Sequence, residues 1–151
     1  MNIKKLIEIL EKEIHVLQEM RDIAYAKQSA LINRNREEIE ECIKLEENNI
    51  ALVKQTELSR INTLEEIYKS EDTEMNDHKL IAFIKNFGQK LEPKIVKYIE
   101  EAENQIKILV RKIADLNRNN LFLIKHSLQF IDSTIATLLG NKERKILDRR
   151  I

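Results

Sequence analysis

Three histidines, one cysteine and a pair of nearby asparagines are the residues of this 151-residue chain whose types could carry chemistry. His15, His78 and His126 lie far apart in the sequence. A di-iron helical bundle needs a Glu three residues ahead of a His, twice. The residues at those positions are Lys12, Met75 and Leu123, so the ligand spacing is missing and no metal or cofactor is expected. Cys42 is the single cysteine. It excludes an internal disulfide, fits a reducing cytoplasm and reads as a packed thiol on a helix face. The serines have no legible His/Asp context, and two glycines cannot make a phosphate-cradling loop. No catalytic residue is expected, so the chain does not read as an enzyme.

Asn117 and Asn120 point to a different role. A buried Asn costs stability unless it is bonded, and it can fix the register of packed helices. Both are candidate register residues, and the competing reading has one of them facing water. Glu46, Glu57 and Arg60 fall on or beside the apolar seam of their helix, where the expectation is flank positions that reach solvent.

The elements that must position these residues are helices. The chain has two Gly, one Pro and 34% charged residues. Sheets and tight turns need more Gly, Pro and aromatics. Basic and acidic residues balance at 26 each, so the total charge does not suit nucleic acid or an anionic membrane. No apolar run approaches the roughly 20 residues that span a bilayer, so no membrane insertion is expected. Met1 to Lys5 leads straight into mixed charge, unlike a signal peptide.

The first helix is expected from about Asn2 to Ile32, with Ile3, Leu10, Leu17, Ala24 and Leu31 repeating every seven residues. Asn33-Arg34-Asn35 is the turn. Asn35 caps the next helix, and Glu38 sits where it could bond back to the cap. The second helix runs from about Arg36 to Lys69 on a main stripe of Ile39, Ile43, Ile50, Val53, Ile61, Leu64 and Tyr68. Cys42, Leu45 and Leu52 form a weaker stripe. Ser70 to Asn76 reads as a loop. A short helix, Lys79 to Phe87, follows the cap residue Asp77 and ends at Gly88 as a C′ residue. Pro93 opens a third long helix with no stop signal until Gly140.

That last helix carries a seam of Ile95, Ile99, Ala102, Ile106, Leu109 and Ile113. The seam then shifts to Asn117, Ile124, Leu128, Ile131, Ile135 and Leu138, which reads as a stutter. The expected fold is all-α: an antiparallel long-helix hairpin plus a third long helix and one short helix. Residues 1–140 form a single coiled-coil-like bundle domain. Residues 141–151 form a basic, mobile tail.

Leu121-Phe122-Leu123-Ile124 covers every side of a helix with apolar residues. Phe130 and the rest of the shifted stripe keep the apolar arc wide. The expected partner-binding residues are Leu121, Phe122, Ile124, Leu128, Phe130, Ile131, Ile135 and Leu138. A core face shared by the other two long helices is the competing reading. The last helix should outrun its neighbour by about 13 residues, or about 20 Å. Residues from Ser127 to Leu139 would then project past the turn. A chain that merely oligomerises through this helix, as a structural or adaptor coiled coil, would look the same in sequence. A weak homodimer is compatible with either reading.

Two stretches carry a family resemblance. The first helix ends in Lys27-Gln28-Ser29-Ala30-Leu31-Ile32. The last helix holds Leu116-Asn117-Arg118-Asn119-Asn120-Leu121-Phe122-Leu123-Ile124, with Ile124 in place of a final Leu, and Arg60 lies near the end of the second helix. In these segments, and in layout over about residues 3 to 139, the chain resembles the FlgN family of flagellar export chaperones. The resemblance implies a cytoplasmic bacterial protein that binds the C-terminal helical segments of hook-associated (hook–filament junction) proteins. It would prevent their premature assembly and deliver them to the flagellar type III export apparatus. The tail departs from the family pattern in having no aromatic residue after Phe130, which weighs against a gate-docking role for it.

Overall fold

In the computed structural model the backbone is described for residues 1–150 and the side chains for residues 1–140. Four α-helices follow in order: α1 (Ile3–Ile32), α2 (Arg36–Ser70), α3 (Leu80–Phe87) and α4 (Pro93–Arg150). A short 3-10 turn, Gly88–Lys90, links α3 to α4. The three long helices run up, down and up around α1, which packs against both α2 and α4. The all-α hairpin with a third long helix and one short helix is the architecture expected from the sequence.

Local chemistry explains the helix boundaries. Asn2 caps α1 through its Oδ1, which accepts from the Lys5 N–H at 3.1 Å. Asn35 caps α2 in the same way, accepting from the Glu38 N–H at 3.3 Å. The reciprocal arm of a capping box is not formed, because the Asn35 N–H donates to the Ala30 carbonyl at 3.0 Å. That bond closes the end of α1 in a Schellman motif around Arg34, whose φ is +53°. The end of α2 repeats the device. The Thr73 N–H donates to the Tyr68 carbonyl at 3.0 Å, and Asp72 takes φ +48°.

Arg34 therefore holds a left-handed conformation that costs an L-residue about 1–2 kcal/mol. Arg34→Gly is expected to raise the urea-unfolding free energy by about 0.5–1 kcal/mol, the gain being reduced by the extra freedom of unfolded Gly.

The base of the bundle holds the main core. Leu6 and Leu10 of α1 meet Leu64, Ile67 and Tyr68 of α2, Phe83 and Phe87 of α3, and Ile99 and Ala102 of α4. The Tyr68 ring stands edge-on to Phe83 and Phe87, with centroids 6.3 and 4.9 Å away. Its hydroxyl accepts from Asn86 Nδ2 at 2.9 Å, so its polar tip is satisfied. The short α3 thus closes the base. A smaller cluster of Leu17, Leu109 and Ile113 continues upward, flanked by Met20 and Val53.

Several sequence readings need correction. The buried face of α2 is Cys42, Asn49, Thr56 and Thr63, spaced by seven, together with Leu64, Ile67 and Tyr68. Of the expected main stripe only Leu64 and Tyr68 are buried, while Ile43 and Ile50 are exposed. Leu45 and Leu52 of the weaker stripe are exposed too. Small side chains face α1 here, and the Thr56 hydroxyl satisfies itself on the Val53 carbonyl at 2.9 Å. The α4 seam does not stutter. It continues by four-three steps from Leu109 and Ile113 to Leu116 and Asn120, all buried against α1. The Asn117–Ile124–Leu128 stripe lies beside that seam.

Gly88 does follow the last residue of α3, as expected, but not as a left-handed C′ residue, and Gly140 ends no helix. Gly88 has φ −56° and leads into the 3-10 turn rather than reversing the chain. Gly140 lies inside α4, which continues to Arg150 and spans 58 residues, about 87 Å. A lone Gly costs a helix only about 1 kcal/mol. The basic tail expected at 141–151 lies outside the residues whose side chains are described.

Two expected solvent-facing charges are paired inside the bundle instead. Arg60 Nε donates to Glu13 Oε2 at 2.9 Å, with side chains only 13% and 7% exposed. Lys27 Nζ reaches Glu46 Oε2 at 2.8 Å in a similarly shielded place. Glu57 does reach solvent.

Candidate docking face at the tip of the bundle

Above Ile113 the apolar core gives way to a polar layer. Asn120 of α4 is 1% exposed, and its Nδ2 donates to the Ala24 carbonyl at 3.0 Å. Asn49 of α2 is buried and its Nδ2 reaches Glu19 Oε2 at 3.4 Å. Asn117 is half-buried. The Oδ1 atoms of all three lack a protein partner. A buried amide oxygen without a partner costs about 1–3 kcal/mol. Asn120→Leu is accordingly expected to gain about 1 kcal/mol in urea unfolding. If Asn120 sets register, spin-label distances between α1 and α4 should broaden in the same variant.

Beyond this layer α4 becomes apolar on its outside. Leu121, Phe122, Leu128, Phe130, Ile131, Ile135 and Leu138 are all about half exposed or more, and Ile124 is half-buried. The heptad facing α1 turns polar through Asn120 and Ser127, whereas the neighbouring stripe stays apolar. That stripe borders an open groove of about 470 Å³. One wall is α4, with Ile124, Leu128, Phe130 and Ile131. The other is the α1–α2 tip, with Leu31, Arg34, Arg36, Ile39 and Ile43.

The structure divides the eight partner-binding residues expected from sequence. Ile124, Leu128, Phe130 and Ile131 come together in the groove. Leu121 and Phe122 lie outside its lining, with Phe122 stacked on His126 at 6.0 Å. Ile135 and Leu138 follow farther along α4. The overhang starts later than expected. The Arg34 guanidinium sits 5.2 Å from the Phe130 ring centre, so the turn is level with Phe130 and Ser127 to Phe130 lie beside it. The α1–α2 wall was missed, because Ile39 and Ile43 read as core. The available signal was their four-residue spacing in the first turns of α2, opposite the polar turn residues Asn33 and Arg34 that follow α1.

Other reactive groups are placed unremarkably. Burial pushes the Cys42 thiol above its ordinary range, and Glu41 and Glu38 add to this, which disfavours the thiolate. His15 lies on the surface beside Glu19 at 3.2 Å, and His78 is exposed. Among the described residues, no three His, Cys, Asp or Glu gather as metal ligands, and no helix is long and apolar enough to cross a membrane.

The groove lies at the tip of a three-helix bundle, and most of its described lining is apolar. The FlgN family model, described as FlgN protein, matches residues 1–147. The chain belongs to the FlgN family. This is a family of flagellar export chaperones and not of enzymes. No curated protein and no solved structure matches the chain. In this FlgN protein the segments that carried the sequence resemblance build the scaffold. Lys27 pairs with Glu46, Ala30 is fully buried, Arg60 pairs with Glu13, and Leu116 and Asn120 pack on α1.

Proposed function

We propose that this chain is a cytoplasmic chaperone for hook-associated proteins, whose C-terminal helical segments it captures before export. The reading rests on one observation above all. Among the described residues, the groove at the tip is lined by seven apolar side chains, one Ser and two Arg, and it is open to solvent. A monomeric protein rarely leaves such a contiguous apolar surface uncovered without a partner for it. A helix laid into the groove would bury its own apolar stripe against Ile124, Leu128, Phe130 and Ile131. Leu121, Phe122, Ile135 and Leu138 would extend the contact along α4. The client's stripe would then be unable to pair with other copies, which blocks premature polymerisation. Delivery to the flagellar export apparatus would follow from the family's role. The activity needs no catalysis and no cofactor.

The test is direct. The purified chain is mixed with purified C-terminal fragments of the hook-associated proteins encoded in the same genome, and the complex is sized in solution. A defined complex with at least one fragment is expected. Absence of a complex with every fragment at micromolar concentration would overturn the reading. So would a stable homo-oligomer that excludes the fragments.

A further inference from the structure

The three long helices are closed at one height and open at another. Val53 of α2 packs against the Leu17–Leu109–Ile113 cluster, so α1, α2 and α4 meet there. Above that cluster α1 still packs on both neighbours, but α2 and α4 part to become the walls of the tip groove. Each wall carries its own stripe with four-three spacing. On α2 it is Ile39, Ile43, Ile50 and Val53, interrupted by Glu46, which Lys27 neutralises at 2.8 Å. On α4 it starts at Asn117 and continues through Leu121, Ile124, Leu128 and Ile131. Ile43, Ile50, Leu121 and Leu128 are exposed.

The two stripes stand at matching heights. The Arg60–Glu13 and Lys27–Glu46 pairs set α2 antiparallel to α1 and place Asn49 level with Ala24. Asn120 bonds the Ala24 carbonyl, so Asn49 and Asn120 share one layer, with Asn117 about one turn below. Upward from that layer, Ile50 comes level with Leu121, Ile43 with Ile124 and Leu128, and Ile39 with Ile131. In the layer itself, the Oδ1 atoms of Asn49 and Asn117 are buried without a partner.

We propose that the tip is a two-state clasp. In the second state α4 above Asn120 leans onto α2, its stripe zips against Ile50, Ile43 and Ile39, and the groove shuts. An Asn117 N–H then donates to Asn49 Oδ1, which gives that buried acceptor its missing partner and fixes the register of the two stripes. Closing buries apolar side chains and is opposed by the bending of a long helix. The bend falls at the Asn layer. Below it Leu109, Ile113 and Leu116 hold α4 to α1, and above it the same face of α4 offers α1 only Ser127. The clasp regulates access, because any occupant of the groove binds only the open fraction of the chain. It is a property of the free chain and does not depend on what the groove holds.

Spin labels on Lys44→Cys and Lys125→Cys, both exposed positions, report the separation of α2 and α4 by double electron–electron resonance. The full chain is used, with Cys42→Ser to leave only the two labelled thiols. Two distances are expected, the shorter one matching helix axes about 8–10 Å apart. Ile43→Glu should reduce the short population about tenfold or more, since a charge would have to be buried in the zipped stripe. Ile43 is exposed, so this variant folds as the wild type does. Asn49→Ala and Asn117→Ala should each lower the ratio of short to long about threefold to tenfold. Combined, they should do no more than either alone.

A single distance at the open separation would overturn the clasp. So would a short population that survives Ile43→Glu, because the stripes would then not be what closes the tip. Additive effects of the two Asn variants would overturn the amide contact between them.

Discussion

Leu128→Gln combined with Ile131→Gln is expected to weaken client binding by roughly a hundredfold to a thousandfold while leaving stability within about 0.5 kcal/mol. The two halves of this expectation come from the same observation. Leu128 and Ile131 are 55% and 51% exposed, so about half of each is left for a partner to cover. Both line the groove beside Ile39 and Ile43, so a docked helix would finish their burial. Burying a Leu or Ile side chain contributes about 1.5–3 kcal/mol. Central apolar contacts of this kind tend to dominate an interface. Gln is chosen because it keeps helix propensity and adds no charge, so the loss reports the apolar contribution. Isothermal titration with the bound fragment, alongside urea unfolding, checks both halves. A variant that loses stability by several kcal/mol would show instead that these residues belong to the core.

Arg60→Met is expected to cost about 3 kcal/mol of stability at neutral pH, most of it recovered on mild acidification. The cause is Glu13. Burial pushes its carboxyl above the ordinary range, Arg60 pulls it back only in part, and Glu57 adds to the rise. Without Arg60 a carboxylate 5% exposed would have no partner charge. A group whose folded value is raised contributes stability that is fully present below its unfolded value. That contribution is lost as pH rises through the folded value. The variant should therefore be least stable at neutral pH and approach the wild type as Glu13 takes up a proton. Glu71 works in the opposite sense. A hydrogen bond from Lys90 holds it below the usual carboxylate range, so its contribution is lost as pH falls. It is common to wild type and variant and cancels in their difference. Thermal unfolding across pH checks the sign. Arg60→Met with Glu13→Leu should recover most of the loss at neutral pH, because no charge is then left unpaired.

The helices were legible because periodicity and caps act locally. Asn2, Asn35 and Pro93 stand at helix starts, and both turns fall in polar stretches. What failed was the assignment of faces. In α2 the expected stripe followed hydrophobicity, yet α1 packs on Cys42, Asn49, Thr56 and Thr63. In α4 the apolar residues suggested a shift at Ile113, whereas the helix keeps its heptad through Leu116 to Asn120, whose inward position was expected. Both errors have one physical source. The sequence contains more apolar side chains near the tip than the bundle uses, and periodicity cannot tell a face packed inside the molecule from one kept for another. The α4 half of the groove was found from its excess of apolar residues. The α1–α2 half needed the three-dimensional placement of Arg34 beside Phe130. Charge pairing was equally hidden, since Glu13 and Arg60 are 47 residues apart.

The most direct test of the account is hydrogen–deuterium exchange on the full chain with and without a bound hook-associated fragment. Capture in the groove predicts new protection along α4 from Leu121 to Leu138, together with the α1–α2 tip from Leu31 to Ile43. The base around Tyr68 and Phe83 should exchange at the same rate in both states. Protection confined to the base, or to α1 and α2 below Asn49, would contradict the assignment of binding to the tip.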